Sequence, residues 1–508
     1  MWDAIVIGSG IGGLAASAAL ARKGRRVLVL EQHAVAGGLT QTFRRGDWTF
    51  AAGVHYIGDV APQPGPGGQF GRLLAWLTGD ALRFSPCANP YDIVRLPGFE
   101  FGIPHPEDAY RDALVARFPA ERDGIFAWFE ACEAARSSAF TLFALHAAPA
   151  LLGWAVRQWH GSEAERWARR TLAEELALVR DPRLRAVLGS RWADYGAPPA
   201  HAPFVEHALV TGSYNAGAWY PVGGPSRFAA TLVPIIEAAG GEVRTACEVT
   251  QILATGGRVR GVETLVRGAR GREDAAHVIS AMGVANTVAC LAPTDAAAWQ
   301  ETVRGLAPGL SYVALYLGFE GDLAKAGADS ANHWIYEDED FTRAWTDPQQ
   351  DAPGLFVSFP SLKDPAYHGK PTGEVVAAAD AAPFARWMGS PAAQRLEGYA
   401  EFKAATEDRL LRQFLRHFPA LQPLLRHHEL ATPVTQQRYV RSPQGAMYGI
   451  EMSAVRLTSP ALHVRTPLPG LLLAGQDVTS PGVEGAFMGG LLAAAALEPA
   501  LWTVLHDA

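Results

Sequence analysis

The first forty residues constrain the fold more than any other part of the chain. Ala4-Ile5-Val6-Ile7 is a short, partly β-branched apolar run closed by Gly8, which predicts a buried strand. Gly8-Ser9-Gly10-Ile11-Gly12-Gly13 follows, then an Ala-rich helix from Leu14 to Lys23, a stop at Gly24, and a second strand, Arg26 to Leu30, ending in Glu31. This is a whole βαβ unit with GxGxxG in its turn. Gly8 permits the tight turn, Gly10 admits a pyrophosphate beside the backbone, and Gly13 lets helix and strand pack closely. The unpaired N–H groups of Ile11, Gly12 and Gly13 at the helix start face the phosphates. Glu31, 18 residues after Gly13, stands where a carboxylate accepts from ribose hydroxyls. A dinucleotide site is the expectation.

The next segment narrows the dinucleotide to FAD. Beyond Gln32 comes a second glycine doublet, Gly37-Gly38, followed by Leu39-Thr40. A nicotinamide enzyme has no need of it, whereas an extended FAD draws more backbone alongside. Near the other end of the chain, Gly470 to Gly475 reads as a buried strand. It runs through Gln476-Asp477 into Pro481-Gly482-Val483-Glu484-Gly485-Ala486 and an apolar helix to Leu497. The start of that helix is placed to face the flavin end of the same cofactor. Only one dinucleotide fingerprint is found, so NAD(P)H is expected, if at all, as a transient electron donor or acceptor.

At 508 residues the chain has room for two or three domains. We read 1–75, 220–300 and 440–508 as one discontinuous FAD-binding domain, and 76–219 with 301–439 as the substrate side. The fold class is α/β: a Rossmann-like, glutathione-reductase-type domain carrying an inserted mixed α+β substrate domain. A net charge of −7 leaves no electrostatic footprint for nucleic acid. Four scattered cysteines form no disulfide framework or zinc ribbon. No basic stretch or cleavage site precedes the first strand, which predicts a cytoplasmic chain. Ala139 to Val156 lacks Asp, Glu, Lys and Arg but is broken by His146, Pro149 and Gly153. It reads as a buried helical pair or a hairpin dipping into one leaflet. The cluster Trp154, Arg157, Trp159, Arg166, Trp167, Arg169 and Arg170 behind it suits either a membrane interface or ordinary packing. Pro62 to Gly68 is a loop by composition. Oligomeric state is left open.

The sequence also resembles the FAD-dependent phytoene desaturase, carotenoid isomerase and retinol saturase superfamily. The resemblance is carried by Gly53-Val54-His55-Tyr56-Ile57-Gly58 and Gly475 to Ala486, and both stretches, with Tyr448-Gly449-Ile450-Glu451, are nearest the retinol saturase branch. It implies that the N-terminal glycines and Glu31 hold the ADP half of FAD. Val249 would meet the adenine through its backbone, and Asp477 with the following turn would hold the ribityl and flavin region. In one respect the chain departs from the pattern: an acid usually precedes GxHYIG, where Phe50-Ala51-Ala52 stand here, and Asp47 lies further upstream.

The function this implies is oxidoreduction of a carbon–carbon bond, saturation or desaturation, in an apolar polyene, isoprenoid or retinoid-like lipid. The alternatives are redox-neutral cis/trans isomerisation of a carotenoid-like polyene on reduced FAD, and a non-catalytic, flavin-stabilised lipid-binding protein. Amine oxidation is disfavoured, because Gly482 occupies the turn where amine oxidases place an aromatic residue. His55 and Tyr56, in a glycine-bounded turn, are the leading proton-donor candidates. Tyr448 and Glu451, ahead of the last strand, are the second pair. His427-His428-Glu429 is expected on a solvated surface, not around a metal.

Overall fold

A computed structural model describes residues 2–60, 68–147, 161–389 and 397–507. The β-branched run Ala4–Ile7 becomes the central strand of a five-stranded parallel sheet, because it is apolar on both faces and entirely buried. The strand order is Leu471–Leu473, Val278–Ser280, Ala4–Ile7, Val27–Leu30, Glu242–Arg244. Ile5 lies between Val278 and Leu28. The helix Ile11–Arg22 leaves the first strand directly and is covered by the C-terminal helix Gly482–Leu497 and by Arg227–Ala238. Both ends of the chain therefore meet over one sheet.

The stretch after Val243 forms an antiparallel ribbon, Glu248–Thr255, Arg258–Val266 and Ala269–Asp274. Its third strand is polar and almost wholly exposed, so no apolar alternation announces it in the sequence.

A second sheet of seven strands draws on two distant stretches of chain. Its order is Leu425–Ala431, Ser311–Phe319, Thr372–Ala379, Gly354–Ser358, Asn332–Tyr336, Asp92–Leu96, Phe99–Ile103. Ser311–Phe319 is buried along its whole length, and its alternate residues serve different cores. Val313, Leu315, Leu317 and Phe319 pack with Leu410 and Phe414 of the helix Tyr399–His417. Tyr312, Ala314 and Tyr316 face Phe50 and Phe43. The period of two thus turns one face of this sheet toward the ribbon that carries Phe43 and Phe50.

The apolar stripe Ile125, Trp128, Cys132, Ala135, Ala139, Leu142 makes Arg122–Ala147 one long helix packed on Phe204–Ser213. Residues 139–147 of the uncharged segment form the end of this helix, and the rest lie outside the described residues, as do Pro62–Gly67, Trp154, Arg157 and Trp159. Trp167 is buried against Phe204, so it belongs to the core rather than to an interface. No helix among the described residues is long and apolar enough to cross a membrane.

Candidate active site

A cavity of about 1570 Å³ runs from the end of the second strand, past the glycine turn, to the start of the C-terminal helix. At its first end the Glu31 carboxylate is held by three donors. Ser9 N and Oγ reach Oε2 at 2.9 and 2.8 Å, and His33 N reaches Oε1 at 2.7 Å. Gly8, Gly10, Ile11, Gly12, Gln32, Gly38, Leu39, Thr40 and Val249 line the same end. Two expected cofactor residues do not. A Cβ on Gly13 would lie 2.0 Å from the carbonyl of Gly8, so this glycine serves helix–strand packing. Gly37 N donates to Ser9 O (3.1 Å), which docks the second glycine segment on the first.

At the opposite end Gly475, Asp477, Pro481, Gly482, Val483, Gly485 and Ala486 all line the cavity. Asp477 Oδ2 accepts from Val284 N at 2.8 Å, whereas Oδ1 is buried with no partner. The turn is braced from behind by Arg456, a buried guanidinium that donates to the carbonyls of Ile450 (2.6 Å) and Gln476 (2.5 Å). FAD fits what these residues offer. Cβ positions on Gly10, Gly475 and Gly482 would meet no protein atom within 4 Å, so the cavity reserves space at those three backbones. Glu31 and the unpaired Asp477 Oδ1 supply acceptors for hydroxyl groups at the two ends.

Gly53, Val54, His55 and Tyr56 line the middle of the cavity. Their segment is pinned by the bridge between Ile57 and Trp219, and Gly58 passes so close to Ser213 that a Cβ there would sit 2.5 Å from its carbonyl. A carboxylate does reach this segment, from another strand. Glu374, fully buried, accepts from Ala51 N at 2.9 Å and places Oε2 2.9 Å from His55 Nδ1. It sits there because it pairs in register with Tyr316 on the face turned toward Phe50. Asp47 instead meets Lys370 at the surface. Behind His55, the buried Lys363 donates to the His55 carbonyl at 2.8 Å and to Ser358 Oγ at 2.7 Å, and burial pulls its ammonium below the usual range.

Tyr56 donates its hydroxyl to Asp194 Oδ2 at 3.0 Å, and Asp194 also lines the cavity. Burial, reinforced by the nearby Asp92 charge, pushes the Asp194 carboxyl up to about 7. Tyr448 lines the cavity, and burial makes its phenol hold its proton more tightly than usual. Glu451 departs from expectation. It lies outside the lining and directs its carboxylate to the exposed His201 at 2.8 Å. The reason is the left-handed turn at Gly449, after which Glu451 N is tied to Ala307 O and the side chain points away. Glu206, which accepts from Ser480 Oγ at 2.5 Å, and Glu484 gather at the start of the helix Gly482–Leu497. Burial pushes Glu206 up to about 7 and Glu484 to about 8. His427 stacks on Trp48, His428 meets Glu407 and Glu429 meets Arg45, three separate partners along one strand.

Glu374, Asp194 and Glu206 are the site residues that sequence reasoning missed. No motif marks them, because each comes from an element distant in the chain: Asp194 lines the cavity itself, whereas Glu374 and Glu206 lie one layer behind it, on His55 and Ser480. The missing acid before GxHYIG marked a departure in the sequence but did not point to any of the three.

Residues 11–497 match the family model described as flavin containing amine oxidoreductase. The chain belongs to this family. It is a FAD-dependent oxidoreductase, and its relatives fall in the superfamily that the two motif stretches indicated. An all-trans-retinol 13,14-reductase of Rattus norvegicus is 32 % identical over 97 % of this chain and 85 % of its own length. A chloroplastic prolycopene isomerase of Daucus carota is 25 % identical over 88 % of this chain and 72 % of its own. Among solved structures, cyclohexylamine oxidase from Brevibacterium oxydans IH-35A superposes with a TM-score of 0.63 over 98 % of this chain and 99 % of its own, at 19 % identity. That likeness is one of fold.

Proposed function

We propose that this oxidoreductase reduces a carbon–carbon double bond of an apolar, retinoid-like polyene. The observation that carries the reading is the size and lining of the cavity. A single ligand site commonly measures about 300–1,000 Å³, and 1570 Å³ leaves room for a second molecule beside FAD. Beyond the flavin end the cavity continues along Ala139, Phe143, Leu209, Val210, Met488 and Leu492, an apolar arm fit for a hydrocarbon chain. Bound FAD supplies the hydride chemistry. The protein's share is to hold the polyene, exclude water and provide a proton.

The same reading assigns roles to residues. The glycine turn, Glu31, Gln32, Gly38 to Thr40 and Val249 hold the ADP half. Gly53 to His55, Gly475, Asp477 and Pro481 to Ala486 hold the flavin half. His55, Tyr56 and Tyr448 face the substrate. It also takes the parallel sheet with its covering helices as the cofactor domain, and the seven-stranded sheet with the helices around it as the substrate side. Saturation is favoured over desaturation because a relative covering nearly the whole chain is named a reductase. Isomerisation is the second reading, favoured by the likeness to prolycopene isomerase.

The test is anaerobic incubation of the pre-reduced protein with retinoids, carotenoids and unsaturated fatty acids, followed by mass spectrometry. A product heavier by two hydrogens is expected. A product of unchanged mass and shifted retention overturns the reading in favour of isomerisation.

A further inference from the structure

Reducing a double bond requires a hydride equivalent on one carbon and a proton on its neighbour. The cavity wall opposite the glycine turn holds few groups free to give that proton. His55 directs Nδ1 at Glu374. Asp477 gives Oδ2 to Val284 N and keeps Oδ1 as an acceptor for a cofactor hydroxyl. The phenols of Tyr214 and Tyr448 are held protonated by burial. Tyr56 is locked in place, stacked between Tyr214 (4.7 Å, 22°) and Phe356 (6.0 Å, 17°) with Lys363 Nζ 5.7 Å from its ring centre. From there its hydroxyl is committed to Asp194.

We infer that Asp194, oriented by Tyr56, delivers the proton to the substrate carbon; the inference rests on the double-bond reduction proposed above. Tyr56 donates to Oδ2, which leaves Oδ1 to carry the transferable proton. The charges around Asp194 keep it available. Arg191 faces it from its own segment, but closes on Asp92 at 2.8 Å and on the Tyr91 hydroxyl. The remaining ionisable neighbours are phenols held protonated by burial: Tyr195 from the same segment, Tyr56, Tyr214 at the end of Phe204–Ser213, Tyr336 in the second sheet, and Tyr448. Among the described residues Asp194 is therefore a carboxyl without an ion-pair partner of its own, lining the cavity where its protonated and ionised forms exchange near neutrality.

The step balances. The Asp194 O–H bond breaks and a C–H bond forms on one carbon of the double bond. The second C–H bond forms with a hydride from the reduced flavin, which is oxidised by two electrons as the double bond is reduced by two. Water then reprotonates the carboxylate. Tyr56 is a positioning residue.

The experiment compares the flavin-loaded wild type with Asp194→Asn, Asp194→Glu and Glu484→Gln, using a retinoid in deuterated and ordinary buffer. Infrared titration of the same proteins without substrate is the second readout. Glu206 and Glu484 give such bands in both proteins, so the wild-type-minus-Asp194→Asn difference spectrum is expected to hold one further protonated-carboxyl band that titrates near neutrality. In turnover, Asp194→Asn is expected to slow reduction about 10²–10⁴-fold with flavin content unchanged. It should also abolish the fall in rate above neutral pH, and Asp194→Glu should restore part of both. Wild-type rate and pH profile in Asp194→Asn, or loss of the pH limb in Glu484→Gln instead, overturns the assignment. So does an Asp194 already ionised in mildly acidic buffer. If the wild type itself yields no product two hydrogens heavier, the double-bond reading falls, an outcome distinct from a wild type that works and an Asp194→Asn variant that works equally well.

Discussion

Gly10 and Gly13 lie three residues apart in one motif and do different physical jobs. The space above Gly10 is empty of protein, whereas a Cβ on Gly13 would collide with the Gly8 carbonyl. Gly10→Val is therefore expected to fold with an unchanged circular dichroism spectrum and to purify without flavin absorbance, while Gly13→Val fails to accumulate as soluble protein. A full flavin spectrum in Gly10→Val would remove the pyrophosphate from that turn. Glu374 offers a second contrast. Glu374→Leu leaves Ala51 N without its acceptor and strips His55 of its carboxylate, and a buried donor left unmade costs about 1–3 kcal/mol. A lowered denaturant midpoint with flavin still bound is the expected result. Glu206 gives a pH dependence. Its folded carboxyl sits near 7 against an ordinary 4.5, so the folded state binds the extra proton. Stability from this group is complete below the ordinary value, is lost as pH rises toward 7, and is level above it. Urea midpoints should accordingly be higher at about pH 5 than at about pH 8, with the difference reduced in Glu206→Gln.

Among the elements, the crossing of Ile11–Arg22 with Gly482–Leu497 joins the two ends of the cavity proposed to hold FAD. A Cβ on Gly490 would lie 2.1 Å from the Gly12 carbonyl, and one on Gly489 2.2 Å from that of Gly475. Gly490→Val should push the helices apart and lower both the melting temperature and flavin retention, measured by thermal release of flavin fluorescence. Flavin release without a change in melting temperature would contradict this. This scale also marks how far the sequence could be read. The strands at Ala4–Ile7, Val27–Leu30 and Leu471–Leu473, and the helices that follow the first and last of them, were legible because apolar runs, glycines and helix starts recur at fixed offsets. Ala269–Asp274 was not, since an exposed edge strand needs no apolar face. Nor was the reach of Glu374 to His55 or of Asp194 to the cavity, since strand register and the packing of distant segments set them rather than local spacing. Glu451 followed a motif in sequence, yet the turn at Gly449 aims it at His201.

Across the whole molecule, one cavity is lined by both the parallel sheet and the seven-stranded sheet, with the Glu31 and Asp477 carboxylates at its two ends and apolar side chains such as Phe143 and Leu492 along its wall. The His55–Glu374 and Tyr56–Asp194 pairs stand where those two parts meet. On the function proposed above, such an arrangement would bring a hydrocarbon chain alongside the flavin with titratable groups at the junction. The most direct test is anaerobic stopped-flow mixing of the fully reduced protein with one equivalent of all-trans-retinol, following flavin absorbance and product mass in the same samples. The account predicts that oxidised flavin returns at the rate at which a product two hydrogens heavier appears, one product for each flavin. Flavin that stays reduced, or that is reoxidised with retinol unchanged, would contradict it.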